Sequence, residues 1–281
     1  MGEIHGPPPA AGCEGALRNR YAGQAAPKRI LWNEVIATLL NHRAVRAYLP
    51  RPLPEVTLET LLAAAQSASS SSNLHLWSVV AVTDPDIKQR LAELALDQRH
   101  IKEAPLLLLW VADLARLTSL GEREARATEG LDYLESFVTA AIDTGLAAQN
   151  ACVAAESLGL GTCYIGAMRN HPEEVAELVG LPPTTMVLFG LVVGWPDPAR
   201  PASIKPRPVQ ETLLHHNRYN NAREAACVDD YDQAMREFQK SQGQEVVGWK
   251  KAVLSRVANA AALTGRHRLG EALRNLRFRL L

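Results

Sequence analysis

From residue 131 to residue 158 the chain keeps a helical period with no proline. Seven alanines, Ala140, Ala141, Ala147, Ala148, Ala151, Ala154 and Ala155, lie inside it. At about 1.5 Å per residue this is a helix of about 42 Å, long enough to run across an entire core. Its small side chains let neighbours approach closely, which suits a central core helix and equally a helix at a dimer interface. Asp143, Gln149 and Asn150 make it too polar to span a membrane. Gly159 and Gly161 read as its stop signal.

The other elements arrange themselves around that helix. Trp32, Val35, Ile36, Leu39 and Leu40 recur at helical spacing, and residues 54–68 predict a second helix with Leu58, Leu61, Leu62 and Ala65 inward. Residues 77–83 are rich in β-branched side chains and predict a strand. Asp84-Pro85 opens a helix to residue 96. The continuous apolar run 104–112 predicts a buried strand, residues 162–165 a strand, 172–179 a helix, and 186–193 a second buried strand. Residues 195–208 hold five prolines and read as irregular, and the chain is helical again from residue 229. No GxGxxG occurs, so the pattern predicts an α+β fold or a non-Rossmann α/β sandwich.

With a hydrophobic fraction of 47% and a charged fraction of 21%, the chain is globular rather than disordered. Thirty Lys and Arg balance thirty Asp and Glu, which argues against a nucleic-acid or membrane partner recruited by bulk charge. Cys13, Cys152, Cys163 and Cys227 are far apart with no CxxC, so neither a metal site nor a disulfide framework is expected. No signal-like apolar core occurs in the first thirty residues, and the cytoplasm is the expected compartment. The glycines and prolines there predict a flexible leader over 1–30, followed by a main domain over 31–220 and a helical extension over 221–281. From Lys250 onward eight Lys or Arg face one Glu, while Val253, Val257, Leu269, Leu273, Leu276 and Leu280 keep helical spacing. One face of this tail is expected to pack, leaving its charges solvated.

Four clusters are candidates for chemistry. His42-Arg43-Ala44-Val45-Arg46 at a helix end suits a phosphate, since the arginine fork matches its oxygens, although a solvated basic turn is the commoner case. The serine run from Ser69 to Ser72 suits an anion nest or a plain polar loop. In Tyr164-Ile165-Gly166-Ala167 the glycine admits a ligand close to the backbone, or simply ends a strand. Lys205-Pro206-Arg207 is a stiffened cationic pair or a surface tripeptide.

Taken in order, these clusters resemble the nitroreductase family of flavoproteins, in particular its oxygen-insensitive NADPH nitroreductase and NADPH:flavin oxidoreductase branch. The likeness covers residues 32–219. It also includes Gln98-Arg99-His100, Ala148-Gln149-Asn150, Phe189-Gly190-Leu191 and Gly194-Trp195-Pro196. It implies an α/β sandwich with a central mixed sheet flanked by helices, a homodimer with a C-terminal extension, and one FMN per subunit at the subunit interface. It also implies ping-pong reduction, by NADPH or NADH, of nitroaromatics, quinones or free flavin.

By the same resemblance Arg43, Arg46 and Arg207 meet the FMN phosphate, with His42 and the Ala44 N–H beside them. Ser70 and Ser72 reach the flavin from the neighbouring subunit. Gln98 and His100 bond the ring edge or the ribityl chain. Tyr164 and Ile165 lead to Gly166 and Ala167, whose N–H groups face flavin N5, and Lys205 stabilises the reduced ring near N1 and O2. The chemistry is the cofactor's and requires no protein nucleophile. The sequence departs from the branch at Ala44, where serine is usual, at Ala167, where a second glycine is usual, and at His75, in place of a glutamine. The loop 240–249, where the branch carries arginines for the NADPH 2′-phosphate, has none, so weak discrimination between the nucleotides is expected. Two other readings stay open: a flavin-binding sensor with little turnover, and a specialised enzyme of the same fold, a dehalogenase or a flavin-fragmenting enzyme.

Overall fold

The structure, a computed structural model, describes residues 11–22 and 24–281. Among the described residues eleven α-helices and four strands follow in chain order: α1 (Ala11–Tyr21), α2 (Glu34–Leu40), α3 (Thr57–Gln66), β1 (Trp77–Val82), α4 (Pro85–Leu94), α5 (Arg99–Glu103), β2 (Leu106–Asp113), α6 (Ala115–Arg123), α7 (Leu134–Ser157), β3 (Gly161–Ile165), α8 (Pro172–Leu178), β4 (Thr185–Gly194), α9 (Glu224–Ser241), α10 (Trp249–Arg256) and α11 (Leu269–Asn275). The chain divides into two compact units, Met1–Arg43 with Ser203–Ala262, and Ala44–Ala202 with Leu263–Leu281. Among the described residues, no helix is long and apolar enough to cross a membrane.

In the second unit the strands form one sheet in the order β1-β2-β4-β3, with every neighbouring pair antiparallel. The expected mixed character is confined to an isolated parallel bridge between Ala44 and Thr162. Helices cover both faces of the sheet. Leu107, Leu109 and Val111 of β2 pack with Leu91 and Ala92 of α4 and Val175 of α8, whereas Leu106, Leu108 and Trp110 pack with Leu61 and Ala65 of α3 and the alanines of α7. This explains the unbroken apolar run of β2: in an antiparallel sheet one face often meets water, but here neither does. The inward face of α3 is narrower than its spacing predicts, because Leu58 is exposed while Leu61 and Ala65 are buried.

The long helix α7 presents Ala147, Ala148, Ala151 and Ala155 to the sheet, all fully buried. It ends as a Schellman motif: Gly159 sits at φ 77°, and the N–H groups of Gly159 and Leu160 return to the carbonyls of Glu156 and Ala155 at 3.0 Å each. Gly161 is not part of this stop. A Cβ on it would lie 2.7 Å from Val45 Cγ2, so its missing side chain lets the segment after Arg43 lie against β3. At the Leu273 end, α11 and Phe278 close the core over Leu76, Leu114 and Met186. The packed face expected along the whole tail is interrupted, because the chain turns through positive φ at Thr264 and Gly265 and leaves Val257 exposed.

In the first unit, α1 packs on α2, and α9 on α10. The glycines and prolines of 1–10, read as a flexible leader, lie outside the described residues. Residues 11–21 of the same leader are helical, with Cys13, Ala16, Leu17 and Arg20 buried. The repeating apolar residues of α2, by contrast, are not a buried stripe: Val35 and Leu39 are exposed.

One polar contact ties the serine run to α7. The buried Asp143 carboxylate accepts from Ser70 Oγ at 2.7 Å and from the Ser71 N–H at 3.0 Å. Asp143→Ala leaves these donors without their charged acceptor, and we expect a loss of about 2–3 kcal/mol in chemical denaturation. Asp143→Asn, which retains a carbonyl acceptor, should lose less, and an unchanged unfolding midpoint in Asp143→Ala would contradict this role.

Candidate functional site

The expected site residues fall into two sets, one in each unit. In the first unit α2 ends before His42 and Arg43. Arg43 is exposed, and its Nη1 donates to the Asn41 carbonyl at 3.1 Å. In Lys205-Pro206-Arg207 the proline is buried and both cations are exposed. Tyr231 Oη donates to the Pro206 carbonyl at 3.0 Å, and the Arg207 N–H donates to the Arg20 carbonyl at 2.8 Å. Burial raises the Tyr231 phenol, against a lowering effect of Arg207, so this anchor is neutral.

Arg20 was not apparent as a site residue from the sequence. Its Nη1 donates to the Lys205 carbonyl at 3.0 Å, and its Nη2 to the carbonyls of Leu40 and His42 at 2.8 and 2.6 Å. A single arginine on an otherwise undistinguished helix carries no sequence signal for such a contact.

In the second unit, residues 44–48 run along the sheet. The Val45 N–H donates to the Thr162 carbonyl at 2.8 Å and the Leu49 N–H to the Trp195 carbonyl at 2.9 Å, while Tyr48 Oη donates to the Val45 carbonyl at 2.7 Å. This pairing buries Val45, Ala47 and Tyr48 and turns Arg46 outward, with Ala44 half-buried at its bridge to Thr162.

The serine loop carries three non-glycine residues in the left-handed region, Ser72 at φ 49°, Asn73 at 58° and His75 at 51°. Side chains rarely cluster there unless the surroundings fix them. Here Asp143 fixes the loop through Ser70, whose Oγ also accepts from the His75 N–H at 2.8 Å. The two serines therefore differ: the Ser70 hydroxyl is engaged as both donor and acceptor, whereas Ser72 is exposed.

Gln98 precedes α5 and donates from Nε2 to the Ala95 carbonyl at 2.8 Å. His100 is only 7% exposed, and its Nε2 is buried without a partner among the described residues. Burial, reinforced by the nearby Arg46 charge and opposed by Glu103, holds the imidazole below its usual pKa and hence neutral at pH 7.

At the end of β3, Ile165 and Ala167 are buried and Tyr164 stacks edge-on against Phe189 at 5.3 Å. Tyr164 Oη donates to Gln149 Oε1 at 3.3 Å, and burial raises its pKa well above the ordinary tyrosine range. Gly166 lies between two guanidinium groups: a Cβ there would stand 3.5 Å from Arg169 Nη2 and 3.7 Å from Arg266 Nη1. Arg266 Nε donates to Asn170 Oδ1 at 2.8 Å, and Arg169 donates to the Leu188 carbonyl. No motif or spacing links this pair, because its members stand almost a hundred residues apart.

The loop after α9, also in the first unit, is held by Gln239, whose Oε1 accepts from the N–H groups of Val247 and Gly248 at 3.0 and 2.9 Å. Lys250 Nζ lies 2.7 Å from Asp229 Oδ1, which offsets much of its charge locally.

Two family models match the chain: the nitroreductase family over residues 39–195, and the nitroreductase family C-terminal domain over residues 205–281. An FMN reductase [NAD(P)H] of Bacillus subtilis is 39% identical over 230 residues, 79% of this chain and 90% of that protein. An oxygen-insensitive NADPH nitroreductase of Salmonella typhimurium is 35% identical over 208 residues, 74% of this chain and 83% of that protein. The solved structure of an NADPH:FMN oxidoreductase from Vibrio harveyi, complexed with NAD+, superposes with a TM-score of 0.78 at 32% identity, covering 87% of this chain and 98% of that one. The chain belongs to the nitroreductase family.

Proposed function

We propose that the protein is an FMN-dependent NAD(P)H oxidoreductase that reduces small electrophiles such as nitroaromatics, quinones or free flavin. The observation that carries this reading is the likeness to an FMN reductase [NAD(P)H], which spans 90% of that relative. The residues of the chain also fit the cofactor. A buried, neutral His100 with a free ring nitrogen is a polar atom that wants a partner, and a ribityl hydroxyl or ring-edge group of FMN supplies one.

Bound FMN provides the redox chemistry, taking electrons from the reduced nicotinamide and passing them to the acceptor. The chain holds and tunes it. Arg43, Arg46 and Arg207, all exposed, offer planar forks to the phosphate dianion, with His42 and the Ala44 N–H as further donors. Lys205 places a positive charge for the reduced ring, which favours reduction. Gln98 and His100 bond the ribityl chain or ring edge. Ser72 is the freer of the two serine contacts, since Ser70 serves Asp143. Gly166 leaves room for the ring beside the backbone, with Tyr164, Ile165 and Ala167 fixing its place at the end of β3.

The same reading includes a homodimer. Leu134, Val138, Ile142 and Leu146 recur every fourth residue on α7 and are 51%, 41%, 57% and 44% exposed, forming an apolar stripe on the side that does not face the sheet. Sedimentation should give twice the chain mass, and Ile142→Asp should yield monomers. A monomeric wild type would contradict the dimer.

Nucleotide choice follows from the charges. The loop after α9 offers no arginine to a 2′-phosphate, and Lys250 is paired with Asp229. Arg169 and Arg266 beside Gly166 suit the phosphates that both nucleotides share. NADH and NADPH should therefore reduce the flavin with kcat/KM values within about tenfold, or about 1.4 kcal/mol. Arg266→Ala should weaken both nucleotides alike. Stopped-flow bleaching of the flavin by each nucleotide tests this, and an NADPH preference above about a hundredfold would contradict it.

A further inference from the structure

Arg20 lies outside both family segments, 39–195 and 205–281, yet it is 6% exposed and spends its guanidinium on backbone carbonyls on both sides of it. One nitrogen holds Lys205, and the other holds Leu40 and His42. The carbonyl of Arg20 in turn accepts from the Arg207 N–H at 2.8 Å. A buried guanidinium is costly unless its donors are met, and three carbonyls distributed over two distant segments meet them here. The backbones of residues 42 and 205, separated by more than a hundred and fifty positions in sequence, are thereby held within the span of one rigid fork.

We propose that Arg20 is a positioning residue for the flavin site: through one guanidinium and one carbonyl it fixes the spacing of His42, Lys205 and Arg207, the cation-bearing backbone to which FMN binds. The inference rests on the preceding assignment of those three residues to FMN. A hydrogen-bonded bridge of this kind restricts both strands of backbone before the ligand arrives, so less ordering remains to be done on binding. It also fixes the backbone from which the Lys205 ammonium extends, and the effect of that charge on the flavin depends on its distance.

Full-length protein, stripped of flavin and reconstituted with FMN, allows a direct test. FMN affinity is read by flavin fluorescence and the midpoint potential by spectroelectrochemistry, for wild type, Arg20→Ala, Arg20→Lys and Lys205→Met. Arg20→Ala should raise the FMN Kd about tenfold, or about 1.4 kcal/mol, and lower the potential in the same direction as Lys205→Met. Arg20→Lys, which retains a cationic donor, should fall between Arg20→Ala and wild type. Arg18→Ala, on the same helix, should match wild type. If Arg20→Ala does not fold, Arg20→Lys and Arg20→Gln give the same readouts. A lower melting temperature with wild-type affinity and potential in every Arg20 variant would overturn the proposal and leave Arg20 as a staple of the fold. If Lys205→Met itself leaves the potential unchanged, the flavin assignment fails; if it shifts the potential and no Arg20 variant does, only the role of Arg20 fails.

Discussion

β2 and β4 run side by side at the centre of the sheet, with helices over both faces, so almost no backbone polar group there can reach water. Each must find its partner within the sheet, and the antiparallel register from Leu106–Val193 to Asp113–Thr185 provides it. Fully burying side chains such as Leu107 and Leu109 contributes roughly 1.5–3 kcal/mol apiece. The alanine face of α7 permits the close packing that this burial requires. The candidate site in this unit is attached to that framework at its margins. The chain leaves β3 at Gly166, residues 44–48 run against Thr162 and Trp195, and the serine loop is pinned to α7 by Asp143. Candidate residues of this unit stand on loops, but rigid elements determine where those loops stand.

Four of the candidate residues are Lys or Arg, and they differ in exposure from the buried Arg20 and His100. Arg43, Arg46, Lys205 and Arg207 are exposed. Arg20 is buried and directs its donors to carbonyls. His100 is kept neutral by burial and by the Arg46 charge.

Much of this was legible in the sequence because it is local. The apolar runs of β2 and β4, the Asp84-Pro85 start of α4 and the Gly159 stop of α7 each depend on neighbouring residues, and the Asp84 side chain does accept from the N–H groups of Asp86 and Ile87. The ordered motifs also led to the right family. What escaped notice is non-local. The pairing of Arg20 with Lys205, the approach of Arg266 to Gly166, and the Asp143 anchor of Ser70 join residues that no period or spacing links. The sheet was expected to be mixed because the family resemblance implies it. Here it is antiparallel and simply covered on both faces. Val35 and Leu39 of α2 keep helical spacing yet are exposed, and on α7, which suits a core helix and a dimer-interface helix equally, Leu134, Val138, Ile142 and Leu146 are exposed as well.

The central claim is that this chain binds FMN through phosphate-facing arginines. Titration of flavin-free protein with FMN and with riboflavin, which lacks the phosphate, tests it most directly. Wild type should bind FMN far more tightly than riboflavin. Arg46→Ala and Arg207→Ala should each lose about 1.5–3 kcal/mol of FMN affinity while leaving riboflavin binding nearly unchanged. Equal affinity of the wild type for the two flavins, or wild-type FMN affinity in both variants, would contradict the account.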